Sequence, residues 1–175
     1  MNIKNISLTT LALSAAIFAA NSQAADASAT ATAEVITPIA VANAANLSFG
    51  KFARGAGGSV TISTSGARTA SGTILSAVGS SPTAARFDVT GDGVSSYSIA
   101  WVGTSTVLTH TNTVDTMAFA PCSALTSANS CSGNVSAGAL TAGAQSIYAG
   151  GALTVGASQL TGAYSGTIAV QVEYN

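Results

Sequence analysis

The feature that most constrains this chain lies at its C-terminal end, where Gly162 to Asn175 reads GAYSGTIAVQVEYN. Ile168, Val170, Val172 and Tyr174 share one parity, while Thr167, Gln171, Glu173 and Asn175 take the other. Side chains alternate faces along a strand, so this stretch predicts one β-strand with an apolar face and a wet face. Gly162, Tyr164 and Gly166 extend the apolar parity backwards. The sequence ends at Asn175, which predicts an uncovered sheet edge, and such an edge invites another strand.

The other end reads as a leader. Lys4 precedes a short apolar run, Leu11 to Ala20, and small residues follow at Ser22 and Ala24. This predicts a secretory signal peptide over residues 1–24, too short in its apolar core to span a bilayer. No later stretch is apolar enough for a transmembrane helix, so the chain is expected not to span a membrane. About 150 residues then remain, enough for one domain with a core.

Charge is scarce. Only 6% of residues are charged, against about a quarter in an ordinary domain. After the leader, Lys51, Arg54, Arg68 and Arg86 are the strong bases, facing six acids. That set would not neutralise a row of phosphates, so nucleic acid is not an expected partner. The surface must instead be built from Ser, Thr, Gly, Ala and Asn, which suits a protein outside the cell that packs beside copies of itself. Cys122 and Cys131 form an even pair in an exported chain and are expected to be disulfide-bonded.

Past the leader, Ala25, Ala27, Ala29, Ala31, Ala33 and Val35 alternate with Asp26, Ser28, Thr30, Thr32 and Glu34. A helix would scatter these alanines around its axis; a strand keeps them on one thin, flat face. Residues 25–36 are therefore read as an N-terminal extension and 37–175 as the domain. Pro38 points to an edge strand or a strand changing sheets. Short strands are expected near Leu47–Phe49, Val60–Ile62, Gly72–Val78, Ala85–Thr90 and Tyr97–Trp101, then one or two between Thr104 and Phe119, and another over Gln145–Val155. Between them STSGARTAS reads as a loop, Gly91–Asp92–Gly93 as a turn and Gly150–Gly151 as a bend or bulge. No helical stripe of ten residues occurs. The fold class expected is all-β, a sandwich or barrel with many short strands.

Catalytic constellations are thin. His110 is the sole histidine, flanked by threonines, and is expected to be solvated. No G-x-S-x-G turn occurs. Asp88 and Asp92 offer a calcium ion two ligands where several are usual. Trp101 alternates with Ile99 and Tyr97 and is read as core. The chain is expected to be no enzyme, with no cofactor and no bound metal.

The stretches TATAEVITPIAV, NLSFG, RFDVTGDG, YSI and GGALTVGASQLTGAYSGTIAVQVEYN resemble the secreted bacterial domain of unknown function 4402 family. That family is similar to the chaperone–usher pilin subunits, including the spore-coat-U-like group. Gly162 stands fourteenth from the end and Tyr174 is penultimate, with Ile168, Val170 and Val172 alternating between them, as in the pilin C-terminal motif. The resemblance implies an immunoglobulin-like, Greek-key sandwich left incomplete. It implies a periplasmic chaperone and an outer-membrane usher as partners, and like subunits in a homopolymer. The contact strand would hold Gly162, Tyr164, Ile168, Val170, Val172 and Tyr174. The donor strand would carry Ala27, Ala29, Ala31, Ala33 and Val35 and fill a neighbour's groove. The expected role is a structural subunit of a surface fibre or extracellular matrix, in adhesion or biofilm. The protein would pass through the periplasm to the cell surface. The alternative is a self-contained secreted sandwich that binds a surface glycan or protein.

Overall fold

The computed structural model describes residues 24–175; the expected leader, up to residue 23, lies outside them. Two units are distinguished, divided between Val35 and Ile36. In the first, residues 24–35 have no strand or helix and their side chains are exposed. Within a single copy the alanine stripe therefore forms no strand. A strand's backbone groups need a partner edge, and this segment makes no ladder.

The second unit, Ile36–Asn175, is all-β. Its strands are β1 (Ala40–Ala45), β2 (Phe52–Ala53), β3 (Gly58–Ile62), β4 (Arg68–Ser71), β5 (Ile74–Leu75), β6 (Ala85–Thr90) and β7 (Ser96–Ala100). There follow β8 (Val107–His110), β9 (Thr116–Ala124), β10 (Ala137–Ala139), β11 (Ala144–Val155), β12 (Tyr164–Ser165) and β13 (Gln171–Tyr174). All the strand pairings are antiparallel. A large sheet runs β1-β6-β11-β9-β8-β12, with β3 on β11 and β4 on β3. A second sheet is β10-β7-β13, and β2 pairs with β5.

The sandwich has two cores. In the first, Phe87 and Val89 of β6 and Ile147 and Ala149 of β11 meet Tyr97 and Ile99 of β7, with Val172 and Tyr174 of β13 packed against them. The three-stranded sheet thus covers this half of the large one. In the second, Val60, Ile62, Met117, Phe119, Leu153 and Val155 gather from β3, β9 and β11 with Phe49. Here, among the described residues, no second sheet covers the core, and the partly buried side chains packed against it are Leu47, Phe52, Ala84, Leu108, Tyr164 and Ile168. Leu47 and Ile168 touch both cores and mark the boundary.

Several expectations need correcting. The C-terminal stretch is not one strand: β12 belongs to the large sheet and β13 to the small one. At the crossing one backbone bond, Ser105 N to Thr167 O at 2.8 Å, is joined by side-chain bonds. Thr104 Oγ1 donates to Ala169 O at 2.9 Å and accepts from Ala169 N at 3.0 Å. Ser105 Oγ accepts from Thr167 N at 2.9 Å. Gly150–Gly151 makes no bulge, since the β11–β9 register is continuous through it. There β11 exchanges one neighbour for another, from Ala149↔Ala85 on β6 to Gly151↔Ile62 on β3. A Cβ on Gly151 would strike the Phe119 ring, so the glycine serves close packing. The supposed loop STSGARTAS contains β4, and β10 had no apolar signal to announce it. Trp101 lies just past β7, half-buried against the first core, with Nε1 donating to Val135 O at 2.9 Å.

Candidate functional site

Where the second layer is incomplete, a groove of about 1050 Å³ opens. Its floor is Leu108, Met117, Phe119, Leu153 and Val155, from β8, β9 and β11. One wall is residues 47–55 and the other 159–166 with Ile168. Among the described residues β2 pairs only with β5 and β12 only with β8. Each wall therefore carries a strand with one unpaired edge, and the apolar floor runs between them.

Arg68 fixes the first wall. Its Nη1 donates to Phe49 O at 2.9 Å, Lys51 O at 3.1 Å and Ser80 Oγ at 2.9 Å, and its Nη2 to Ser76 O at 2.8 Å. A planar fork with several donors can hold a curved backbone in this way, where a lysine could not. Ser48 adds a two-way backbone bridge to Thr83, at 2.9 and 3.0 Å.

Asp115, in the turn between β8 and β9, fixes the second. Its Oδ2 accepts from Tyr164 OH, from Gln159 Nε2 and, at 3.2 Å, from Leu160 N. The Tyr164 hydroxyl, foremost, holds the Asp115 carboxyl below its usual range; partial desolvation opposes this, while Leu160 N–H and Gln159 assist. Desolvation and then the Asp115 carboxylate push the Tyr164 hydroxyl up. Arg54 Nη1 reaches from the first wall to Gln159 O on the second, at 2.7 Å.

His110 is buried at 8% exposure, which corrects the expectation of a solvated ring. Its Nδ1 accepts from Asn112 N–H at 3.1 Å, leaving Nε2 to donate to Thr161 O at 3.2 Å. Its ring meets Tyr164 edge-on at 5.0 Å. Gly162 lies directly against it: its φ is 149°, and a Cβ there would collide with His110 Nε2. Position 162 thus needs glycine for a local steric reason.

The structure divides the expected contact strand. Gly162, Tyr164 and Ile168 line the groove. Val170, Val172 and Tyr174 pack on the other core instead. Tyr174 OH donates to Thr37 O at 2.8 Å and accepts from Asp92 N at 2.6 Å. Ala27, Ala29, Ala31, Ala33 and Val35 lie in the first unit, exposed. A disulfide joins Cys122 and Cys131, tying β9 to the loop beyond it. Asp88 is engaged by Ser146 Oγ at 2.8 Å and Arg86 at 3.1 Å.

Sequence reasoning missed the floor, Arg54, Asp115 and Gln159. The floor residues come from three strands and only topology gathers them. Leu47 and Phe49, which share parity, were the one local hint of the first wall.

The family described as Domain of unknown function (DUF4402) matches the chain over residues 39–174. No curated protein and no solved structure matches it.

Proposed function

The chain belongs to the family described as Domain of unknown function (DUF4402), and from its groove we propose that it is an exported, non-enzymatic subunit of a surface fibre, assembled by β-strand donation. The observation that carries this is the apolar groove between two walls, each with an unpaired strand edge. An extended segment laid there would pair with β2 on one side and β12 on the other, and would cover Phe119, Leu153 and Val155. Backbone ladders would give affinity, and alternate side chains on the floor would give fit.

The chain holds a segment of matching period. Ala25–Val35 alternates small apolar and polar residues, and it forms no strand of its own. In a second copy it is the donor. During export a periplasmic chaperone would occupy the same groove and an usher would exchange it for the next subunit. The assembled fibre would serve adhesion or biofilm structure.

Deletion of Ala25–Val35 tests this. The truncated chain should remain folded and bound to its chaperone, and should form no filaments in negative-stain micrographs of producing cells. Filaments from the deletion variant would refute donation by this segment. A full mature chain that stays monomeric at high concentration and unfolds in one step would favour a self-contained binding module.

A further inference from the structure

The groove is charged on one wall. Lys51 and Arg54 line it and Arg68 holds that wall from behind, three of the four strong bases past the leader. Among the described residues no carboxylate lines the groove, and Asp115 stands behind the opposite wall with its carboxylate engaged by Tyr164, Gln159 and Leu160. The alanine stripe, by contrast, is bracketed by two acids, Asp26 and Glu34. The two ends of the groove also differ. Beyond Leu47 and Ile168 it runs into the place where β1 and β13 approach and Tyr174 is hydrogen-bonded to Thr37. At the other end the walls are bridged by the Arg54 side chain on Gln159 O.

We infer that Glu34 of an incoming copy pairs with Arg54, displaces it from Gln159 O, and so sets the direction of the donated strand. This rests on the strand-donation reading above. A donated segment continues at Ile36 into the folded body of its own copy. That body must stand outside the groove, at the end closed by a single flexible side chain. Val35 and Glu34 therefore come to rest beside Arg54, with Asp26 at the far end. The strand then runs antiparallel to residues 159–168 and parallel to residues 47–55, so ladder geometry alone does not choose between the two directions and the charge pair does. Glu34 has the parity opposite to the alanines, so with Ala33 and Val35 on the floor its carboxylate stands at the rim, where Arg54 lies. Gln159 O, released by the guanidinium, is free to accept a backbone N–H of the new strand.

Asp26 and Glu34 are eight residues apart, about 26 Å in an extended chain. One guanidinium cannot serve both, so the choice of acid is a choice of direction. A rim pair of this kind contributes little affinity but governs encounter rate and register.

Two experiments on the full mature chain test this. In the first, a copy carrying Ala53→Cys is mixed with one carrying Thr32→Cys or Ser28→Cys, and a short bis-maleimide linker is added. Thr32 should link to position 53. Ser28, about 13 Å further along the strand, should not. A Ser28 link without a Thr32 link would overturn the inferred direction but leave donation standing. Filaments that yield neither link would overturn donation itself. In the second, Arg54→Glu or Glu34→Arg alone should slow assembly about tenfold at low salt, and the two together should restore it. Single reversals without effect, or a double reversal without recovery, would overturn the Glu34–Arg54 pair.

Discussion

Tyr164 donates its hydroxyl proton to Asp115, and that bond fastens the groove's C-terminal wall to the β8–β9 hairpin. The same carboxylate oxygen also holds Gln159 and Leu160, so three groups from one wall converge on one acid. Its ladder is short, because β12 is two residues long and among the described residues pairs only with β8. The rest of the wall is held by bonds such as Thr111 N to Ala163 O at 2.9 Å and His110 to Thr161 O at 3.2 Å. An open groove needs walls held apart with no strand between them. Asp115 on one side and Arg68 on the other do this with side chains.

The first prediction concerns acid. Asp115 is held below its ordinary value of 3.8, chiefly by the Tyr164 hydroxyl. A carboxyl with a lowered folded-state pKa stabilises fully above its unfolded value and loses that contribution as pH falls through the folded one. The wild-type melting temperature should therefore fall below pH 3.8 more than that of Asp115→Asn. The variant should melt lower at neutral pH and lack this acid-dependent part of the fall. Thermal melts at both pH values, followed by circular dichroism, measure the difference; parallel pH profiles would mean that the carboxylate holds nothing.

Gly162→Ala should destabilise the domain by about 1–3 kcal/mol, since the added methyl meets His110 at a φ that other residues rarely adopt. His110→Ala in the same chain removes the collision but not the backbone strain. The double variant should therefore recover part of the loss relative to the sum of the singles. Urea titrations of the four chains give the coupling. Strict additivity would show that the ring and the glycine do not constrain each other.

Reduction of Cys122–Cys131 opens a loop with a sequence separation of 9 residues. For a loop of that length chain entropy predicts a loss of about 2–3 kcal/mol. The loop begins within the last residues of β9, and none of its residues lines the groove. A Cys122→Ser, Cys131→Ser chain should accordingly unfold at lower denaturant yet still assemble. Loss of assembly in a chain that remains folded would show that the loop touches the neighbour.

How far the sequence announced all this depends on how local each signal is. Ala85–Thr90 is β6 to the residue, because Phe87 and Val89 face a core while Arg86, Asp88 and Thr90 face out. Tyr97 and Ile99 were equally plain. The C-terminal alternation correctly marked which side chains point inward. It could not show that the backbone crosses between sheets, because the crossing is held by the hydroxyls of Thr104 and Ser105 and the backbone N–H of Ser105, some sixty residues away. β4 and β10 are built of Arg, Thr, Ala, Ser and Gly and carry no apolar stripe. The groove was the least legible feature. Its walls lie more than a hundred residues apart, and an unfilled place in a sheet has no residues of its own to read.

The last prediction uses that unfilled place. If Ala29 and Ala31 of one copy lie on Phe119 and Leu153 of the next, a carboxylate at either position would be buried on an apolar floor. Burying an unpaired charge costs several kcal/mol even after relaxation. Ala29→Asp and Ala31→Asp should therefore each abolish filaments. Thr30→Asp, one residue from either, points the other way along an extended strand and should leave the carboxylate in solvent and assembly intact. All three substitutions lie outside Ile36–Asn175, so the far-ultraviolet spectrum and melting of the unassembled chain should match the wild type. That control matters, because it separates a failure to pair from a failure to fold. Negative-stain counts across the three variants read the parity directly. Equal loss at positions 29, 30 and 31 would mean that added charge alone blocks assembly, and equal tolerance would mean that this segment does not enter the groove.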